Sequence, residues 1–279
     1  MVAPAYFAAI TPSRNAESLT ALITGASAGI GYELARLFAL DGYNLVLVAR
    51  SRDRLLKFAE ELRTLGKEQI NVTVISRDLA DLEAPEDIFD ATERAKIDID
   101  VLVNNAGFGK RGPFAKTDLD DDLDMMQLNV VALAHLTRLY LPGMLMRAET
   151  VKRTGRILQV ASTAAFVPGP MMALYYASKA FVLSFSEALA EELKGARVTV
   201  TCLCPGPTAT EFSKRAGTEN TNLFKGRVMD AKTVAEMGYR GMMRGEPIVI
   251  AGMRNRLMIQ SLRFSPRWLV RKMVKKIQE

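Results

Sequence analysis

The sequence lacks the residues and segments on which several classes of protein depend. Its 279 residues include only two cysteines and one histidine, so neither a disulfide framework nor a His/Cys metal site is expected. No apolar run reaches the roughly 18 residues that a membrane-spanning helix needs. The first 15 residues have neither a basic start nor a long apolar core, so no secretory signal is predicted. These absences favour a cytoplasmic protein without a metal.

The few unusual residues have ordinary structural interpretations. Cys202 and Cys204 alternate within an apolar run, which predicts thiols buried in a strand. His135 lies in a helical stretch and is expected to be structural. Hydrophobic residues make up 49% of the chain, enough for a sizeable core in one domain.

The most informative stretch runs from 155 to 179. An apolar strand leads into Ser162, a Pro/Gly-rich turn follows, and a helix then carries Tyr175 and Lys179. Residues four apart on a helix share a face, and a permanent ammonium beside a phenol should lower the phenol pKa from ~10. The pair alone is weak evidence, because it also fits an ordinary surface contact worth ~0.3 kcal/mol.

A glycine-rich turn lies between the first predicted strand and the first helix. Gly25, Gly29 and Gly31 have the spacing G-x-x-x-G-x-G. Glycines let the backbone approach a pyrophosphate, and the helix N-terminus offers free N–H groups. A tight turn without a ligand is the alternative. The absence of a following Gly-Lys-Ser/Thr excludes a P-loop.

Polar residues follow the next strands. Arg50 ends the second strand, where an acidic residue would select NAD and an arginine accommodates the 2′-phosphate of NADP. Asp78 and the segment 104–107 end the third and fourth strands, on the side where such sheets bind ligands. The interpretation is therefore NADP over NAD.

Strands alternate with helices of 10–15 residues along most of the chain, which predicts right-handed βαβ units. The expected fold is α/β, a doubly wound Rossmann-type parallel sheet of about seven strands with helices on both faces. The predicted segments are an extension at 1–18, a catalytic domain at 19–252 and a basic tail at 253–279. Helices are expected at 52–65, 81–96, 118–147, 173–194 and 231–244, the last capped by Asp230, and strands at 19–24, 44–50, 71–78, 99–107 and 247–252.

Together these motifs resemble the short-chain dehydrogenase/reductase family in its single-domain form, over residues 19–252. The matching residues stand in the family's order: Thr24-Gly25-x3-Gly29-x-Gly31, Asp78, Asn104-Asn105-Ala106-Gly107, Asn129, Ser162, Tyr175-x3-Lys179 and Pro205-Gly206. One departure is Ala28, since many NADP-preferring members have a basic residue before this glycine.

The resemblance implies a catalytic set. Tyr175 would be the general acid in carbonyl reduction, Ser162 would hydrogen-bond the same oxygen, and Lys179 would bind the nicotinamide ribose. Asn129 would hold a water that links Lys179 to solvent. The cofactor-binding residues implied are Gly25, Ser27, Ile30, Gly31, Arg50, Asp78, Leu79, Asn105, Gly107, Tyr175, Lys179, Pro205, Gly206, Thr208 and Thr210.

The expected function is NADP(H)-dependent transfer of hydride between nicotinamide and a carbonyl or secondary alcohol. A non-catalytic NADP sensor or scaffold, and an epimerase or dehydratase using the same Tyr-Lys pair, are the alternatives. A substrate wall is expected from the loop 209–229 with Phe166, Pro168, Met171 and Met172, whose apolar character favours an apolar substrate. The resemblance also implies a homodimer or homotetramer through helices 118–147 and 173–194, with His135, Leu136 and Leu139 near the seam.

The tail concentrates positive charge. Eight Lys and Arg face one acid there, so it carries +7 while the whole chain is +6. Ser265 and Pro266 predict a helix start, and Val270, Met273, Val274 and Ile277 fall on one face. Such a helix could pack on its own domain or a sister subunit, or attach through residues 265–277 to an anionic membrane surface. Nucleic acid is not an expected partner, since aromatic side chains do not alternate with the charges.

Overall fold

The protein is seen here in a computed structural model that describes residues 19–66, 69–219, 221, 228–262 and 264–278. The predicted extension at 1–18 lies outside the described residues. Within them, a seven-stranded sheet has the order β3-β2-β1-β4-β5-β6-β9, and all of its pairings are parallel. The predicted fold class is confirmed. The strands of this sheet are β1 (Thr20–Thr24), β2 (Asn44–Ala49), β3 (Val72–Ser76), β4 (Val101–Asn104), β5 (Gly155–Val160), β6 (Val198–Cys204) and β9 (Ile248–Ile250).

Helices cover both faces of the sheet. On one face Phe38 of α1 (Gly29–Leu40) packs edge-on against Tyr239 of α8 (Ala231–Met243), and α2 (Arg52–Leu65) completes that layer. On the other face lie α3 (Ala84–Arg94), α5 (Leu133–Thr150) and α6 (Ala173–Glu192). The strands have apolar side chains on both sides, so the sheet packs against a buried hydrophobic core on each of its faces. The sheet order reverses between β1 and β4, where doubly wound sheets open a crevice.

Four of the five predicted strands end earlier than expected, and their last predicted residues therefore lie beyond the sheet. Arg50 lies just beyond β2, Asp78 beyond β3, and residues 105–107 beyond β4. The predicted helix 118–147 is also subdivided. It comprises α4 (Leu119–Met126), a π-helical segment (Gln127–Ala132) and α5. Such π segments often occur at functional sites.

Short elements connect the sheet to the last helices. Thr208–Ala209 (β7) pairs with Met229–Asp230 (β8), and α7 (Glu211–Ala216) lies between them. The carboxylate of Asp230 accepts a hydrogen bond from the Thr233 amide at 2.8 Å, which confirms the predicted N-cap of α8. Part of the predicted substrate loop, residues 220 and 222–227, lies outside the described residues.

The tail forms two helices, α9 (Met253–Leu262) and α10 (Arg267–Gln278). Val270 and Val274 of α10 are buried against the core, whereas Met273 and Ile277, expected on the same apolar face, are exposed. The Ser265 hydroxyl donates to the Ser261 carbonyl instead of capping α10. The boundaries at 18 and 252 remain predictions. Among the described residues, none of the helices is long and apolar enough to cross a membrane.

Candidate active site

One cavity of about 420 Å³ opens at the carboxyl edge of the sheet. It brings together residues from the ends of five strands, β2 to β6, with residues of the glycine turn and of α6. Most of the predicted site residues line it: Gly25, Ser27, Ile30, Arg50, Asp78, Leu79, Asn105, Gly107, Ser162, Tyr175, Lys179, Pro205, Gly206, Thr208 and Thr210. The two exceptions, Gly31 and Asn129, lie in contact with residues that line it.

The turn between β1 and α1 is shaped by its glycines. Gly25 and Gly29 have φ of +65° and +58°, in the left-handed region that side chains disfavour. At Gly31 an added Cβ would lie 2.4 Å from the side-chain nitrogen of Asn105 and 2.5 Å from the Gly25 carbonyl oxygen. No described side chain caps the helix at Ala28. The first N–H groups of α1 are therefore available to a ligand.

Asn105 holds this turn against β4. Its side-chain nitrogen donates to the carbonyl oxygens of Thr24 at 2.9 Å and Gly25 at 3.2 Å. Its own amide donates to the Thr24 hydroxyl at 3.0 Å. The resemblance implies that Asn105 binds the cofactor; in the structure Asn105 cross-links the turn.

The far end of the cavity, beyond β2 and β3, is rich in arginine. Arg50 lies 3.4 Å from the Asp78 carboxylate, a pair that contributes about 0–1 kcal/mol because both side chains are largely exposed. Arg54 and Arg215 also line the cavity, and sequence reasoning missed both. Burial lowers the pKa of Arg215, and the neighbouring charge of Arg50 lowers it further. Positive charge is thus concentrated where an adenosine phosphate would lie.

Ser162 and Tyr175 meet at the other end. Ser162 follows β5, and its hydroxyl accepts a hydrogen bond from the Ala164 amide at 3.1 Å. Burial raises the pKa of the Tyr175 phenol to about 12, and hydrogen bonding with Ser162 offsets part of that rise. The expected lowering of the Tyr175 pKa is therefore wrong for this structure. Desolvation of the phenol is the largest cause of this rise, and the Lys179 nitrogen lies 5.9 Å from the ring centre.

Lys179 lies one helical turn after Tyr175 on α6, and its side chain is buried. Its ammonium donates to the Val160 carbonyl oxygen at 2.9 Å, at the end of β5. Burial lowers the Lys179 pKa to about 8, so the expectation of a permanent ammonium is also wrong. Such a group can take up and release a proton near neutral pH.

Asn129 is fully buried in the π-helical segment. Its carboxamide accepts from the Phe108 amide at 3.1 Å, donates to the Phe108 carbonyl at 2.9 Å and donates to Ser178 at 3.1 Å. An added Cβ at Gly107 would lie 2.9 Å from the Asn129 oxygen and 3.4 Å from the Lys179 nitrogen. The bare backbone of Gly107 thus lets Asn129 and Lys179 come close to the same point.

The substrate side of the cavity differs from the prediction. Of the four residues expected near the central turn, Met172 lines the cavity, and Phe166, Pro168 and Met171 do not. Phe212, from the predicted loop 209–229, also lines it, as do Tyr176 and Gln278, which the sequence analysis did not identify. Gln278 reaches the site from α10 and donates to the Tyr176 hydroxyl at 2.7 Å. Only tertiary packing brings α10 there, so no local motif could have revealed it.

These features fit a nicotinamide dinucleotide. The glycine turn leaves room for a pyrophosphate, the uncapped start of α1 faces that room, and arginines surround the adenosine end. The nicotinamide end holds a phenol, a hydroxyl and an amine within one cavity. Such a cofactor would supply hydride when bound, and these three side chains are chemically able to supply hydrogen bonds and a proton.

Comparisons with known proteins agree with this geometry. A family model described as short chain dehydrogenase matches residues 19–221. A very-long-chain 3-oxoacyl-CoA reductase of Pyrenophora tritici-repentis is 33% identical over 81% of this chain and 65% of its own length. An 11-beta-hydroxysteroid dehydrogenase of Pinus massoniana is 39% identical over 71% of this chain and 53% of its own. This chain thus matches about half to two thirds of the length of these two relatives.

A solved structure shows the same fold. The short-chain dehydrogenase from Sphingobium yanoikuyae, in complex with NADPH, superposes with a TM-score of 0.74 at 31% identity. The match covers 90% of this chain and 94% of that one. The chain therefore belongs to the short-chain dehydrogenase/reductase family, whose members are nicotinamide-dependent oxidoreductases.

Proposed function

We propose that the protein is an NADP(H)-dependent oxidoreductase that interconverts an apolar ketone and its secondary alcohol. The observation that carries this proposal is that one cavity is lined by the Ser162 hydroxyl, the Tyr175 phenol and the Lys179 ammonium. The Ser162 hydroxyl lies near enough to the phenol to lower its pKa, and it donates to the Pro205 carbonyl oxygen at 3.5 Å. The arginines line the other end of the same cavity. A carbonyl oxygen held between two hydroxyls can accept a hydrogen bond and a proton at the same atom.

The proton on Tyr175 is central to the reduction. A pKa of about 12 keeps the phenol protonated at neutral pH, the form that can donate to a carbonyl oxygen. Ser162 donates a hydrogen bond to that oxygen as negative charge develops on it. A bound NADPH would supply the hydride for the carbonyl carbon, and with the proton from Tyr175 this balances the conversion of C=O into CH–OH. The reverse direction returns both.

Lys179 and Asn129 support the proton supply. We assign Lys179 to the ribose hydroxyls of the nicotinamide half, since its ammonium is the cation beside the phenol. Its pKa of about 8 lets it pass a proton toward Tyr175. Asn129 contacts the Phe108 backbone and Ser178, and its oxygen lies near Gly107. In this position it could orient a water next to Lys179.

The preference for NADP(H) rests on the arginines. The 2′-phosphate carries close to two negative charges, and Arg50, Arg54 and Arg215 line the cavity where it would lie. Arg50 is held by a weak contact to Asp78, so a phosphate can compete for it. Arg54 contacts Glu211 at 3.0 Å through two exposed side chains, and that contact is similarly weak.

An apolar substrate is supported by the cavity wall. Leu128, Met172, Tyr176 and Phe212 line it. The fungal relative is named for a very-long-chain 3-oxoacyl-CoA and the pine relative for an 11-beta-hydroxysteroid. A long acyl chain or a fused-ring ketone is therefore the substrate class that we propose.

A homodimer or homotetramer is also part of the proposal. Leu136, expected near the seam, is buried in the chain's own core and does not serve it. His135 and Leu139 are partly accessible. On α6 the exposed ring of Phe181 stacks on Phe185 with ring centres 5.5 Å apart, an apolar feature that a sister subunit could cover.

The test is a screen of carbonyl compounds for NADPH oxidation. The panel contains a ketosteroid, a long-chain 3-oxoacyl thioester, a short aliphatic ketone and a nucleotide sugar. We expect turnover with at least one of the first two and at most slow turnover with the short ketone. NADPH binding without turnover of any compound would favour the sensor or scaffold, and conversion of the sugar without net NADPH oxidation would favour the epimerase.

A further inference from the structure

The two last helices present a surface unlike the rest of the protein. Residues 253–278 contain eight Lys and Arg and no Asp or Glu. We call the exposed side chains of α9, of residues 264–266 and of α10 the α9–α10 surface. With Glu279 included, the tail has eight basic residues and one acidic residue, a net charge of +7.

The α9–α10 surface is also strongly apolar. Phe264 is 90% exposed, Met253 67%, Leu257 64%, Trp268 56% and Met273 54%. Single exposed apolar residues are common, but several within one segment usually mark a site of interaction. Aromatic and aliphatic side chains among cations are typical of helices that lie at a membrane interface.

The packing of α10 fixes which sides face outward. Its buried stripe consists of Val270, Val274 and Gln278, spaced four residues apart. On a helix, the neighbouring stripes are displaced from this one by about 60°. One of them is apolar and the other cationic. They comprise Leu269, Met273 and Ile277 on one side, and Arg267, Arg271 and Lys275 on the other.

We propose that the α9–α10 surface docks on an anionic lipid bilayer. A bilayer supplies both chemistries at once, since acyl chains take up the apolar side chains and anionic headgroups attract the cations. Each Lys or Arg near such a surface contributes about 1 kcal/mol. A second copy of this chain fits less well, because an isologous contact would bring cations of the two copies against each other.

Docking would bring lipid next to the cavity. The side of α10 that faces the protein carries Gln278, which lines the cavity and bonds Tyr176, and Arg111 donates to the Gln278 carbonyl at 2.9 Å. The helix that docks on the bilayer, α10, would thus also line the substrate side of the cavity. An apolar ketone dissolved in the bilayer would reach the site without crossing water. This consequence rests on the proposed function, but the docking itself does not.

The test is co-sedimentation of the full chain with vesicles, without substrate. Vesicles of phosphatidylcholine alone are compared with vesicles containing about one third phosphatidylserine, at low salt and at roughly 0.5 M NaCl. We expect binding to the anionic vesicles at low salt, and at least tenfold weaker binding to neutral vesicles and at high salt.

Two double variants, each with a matched control, separate the contribution of charge to vesicle binding from that of apolar contact. Arg271→Glu with Lys272→Glu should weaken binding at least about tenfold, whereas the matched pair Lys57→Glu with Lys232→Glu, on α2 and α8, should leave it within about twofold. Phe264→Ser with Trp268→Ser should also weaken binding. Its matched control is Leu82→Ser with Val151→Ser, two apolar residues exposed elsewhere. NADPH titration and circular dichroism confirm that each variant is folded.

Three results would overturn the proposal. The first is a wild-type chain that stays in the supernatant with anionic vesicles at low salt. The second is equal loss of binding in test and control pairs. The third is a change in sedimentation coefficient caused by Phe264→Ser with Trp268→Ser in the absence of vesicles, which would assign the surface to a second copy of the chain. None of these three results bears on whether the protein reduces a ketone. The proposed function is therefore tested independently, by the screen for NADPH oxidation.

Discussion

The buried ammonium of Lys179 should make the stability of the cofactor-free protein depend on pH. Its pKa is about 8 in the folded chain and 10.5 as the ordinary value. A difference of this size corresponds to about 3 kcal/mol, by which the charged form opposes folding at neutral pH. Between these two values the unfolded chain binds the proton and the folded chain does not. Stability therefore rises with pH through this window.

The perturbation is Lys179→Met, which keeps the length of the side chain and removes the proton. The free energy of unfolding of the variant minus that of the wild type should fall by about 3 kcal/mol between pH 7 and pH 10.5. The substitution also removes the hydrogen bond to the Val160 carbonyl oxygen. That loss shifts the difference at every pH and leaves most of its slope intact, so the slope is the quantity to measure.

The assay is urea unfolding followed by far-ultraviolet circular dichroism, at one protein concentration so that any subunit association is held constant. Lys194→Met is the matched control, because Lys194 is an exposed lysine just beyond α6. Its difference from the wild type should change much less than that of Lys179→Met, because an exposed ion pair contributes about 0–1 kcal/mol. Parallel pH curves for the wild type and Lys179→Met would refute the claim that burial lowers the pKa of this ammonium.

Three further predictions concern the arginines, the glycine turn and the substrate side of the cavity. Arg50→Asp should weaken NADPH binding at least tenfold, or ~1.4 kcal/mol, while NADH binding stays the same or tightens, as followed by fluorescence titration. Gly31→Ala should weaken binding of both cofactors, because its Cβ would lie 2.4 Å from the Asn105 nitrogen and 2.5 Å from a carbonyl oxygen of the turn. Gln278→Leu should raise KM for the ketone with little change in NADPH affinity, since it removes the hydrogen bond to Tyr176.

Each of these has its own control and contrary result. Equal NADPH and NADH affinities in the wild type would contradict the role of Arg50. Gly143→Ala is the control for Gly31, because Gly143 lies on α5 and its Cβ would meet the Arg147 side chain at 3.2 Å and not the backbone of the turn. An unaltered cofactor affinity in Gly31→Ala would count against the turn. Gln260→Leu, an exposed position on α9, controls for Gln278. A change in NADPH affinity and not in KM would place Gln278 on the wrong side of the cavity.

Local patterns predicted most of the fold, since strand and helix periodicity depend on neighbouring residues. They also predicted which residues end the strands, because the carboxyl ends of parallel strands meet at one edge. This explains why Arg50, Asp78 and Ser162, far apart in sequence, line a single cavity.

Quantities that depend on packing were not predictable in this way. The pKa of Tyr175 is raised instead of lowered, because burial is set by the whole surrounding structure. Gln278 contacts Tyr176 across 102 positions in sequence. Met273 and Ile277 share a face with Val270 in a helical projection, yet the core covers only a narrow stripe of α10. Amphipathic periodicity predicts a helix and its apolar side. It does not predict how wide a stripe of that side the neighbouring elements bury.

The most direct test of the account compares the wild type with Tyr175→Phe on the ketone that the screen identifies. The substitution removes one hydroxyl from a buried ring and leaves the glycine turn and the arginines untouched. We expect kcat to fall by roughly 10²–10⁴-fold, the usual contribution of a general acid, while the Kd for NADPH changes by less than about twofold. Turnover within about threefold of the wild type, with NADPH still bound, would contradict the assignment of Tyr175 as the proton donor.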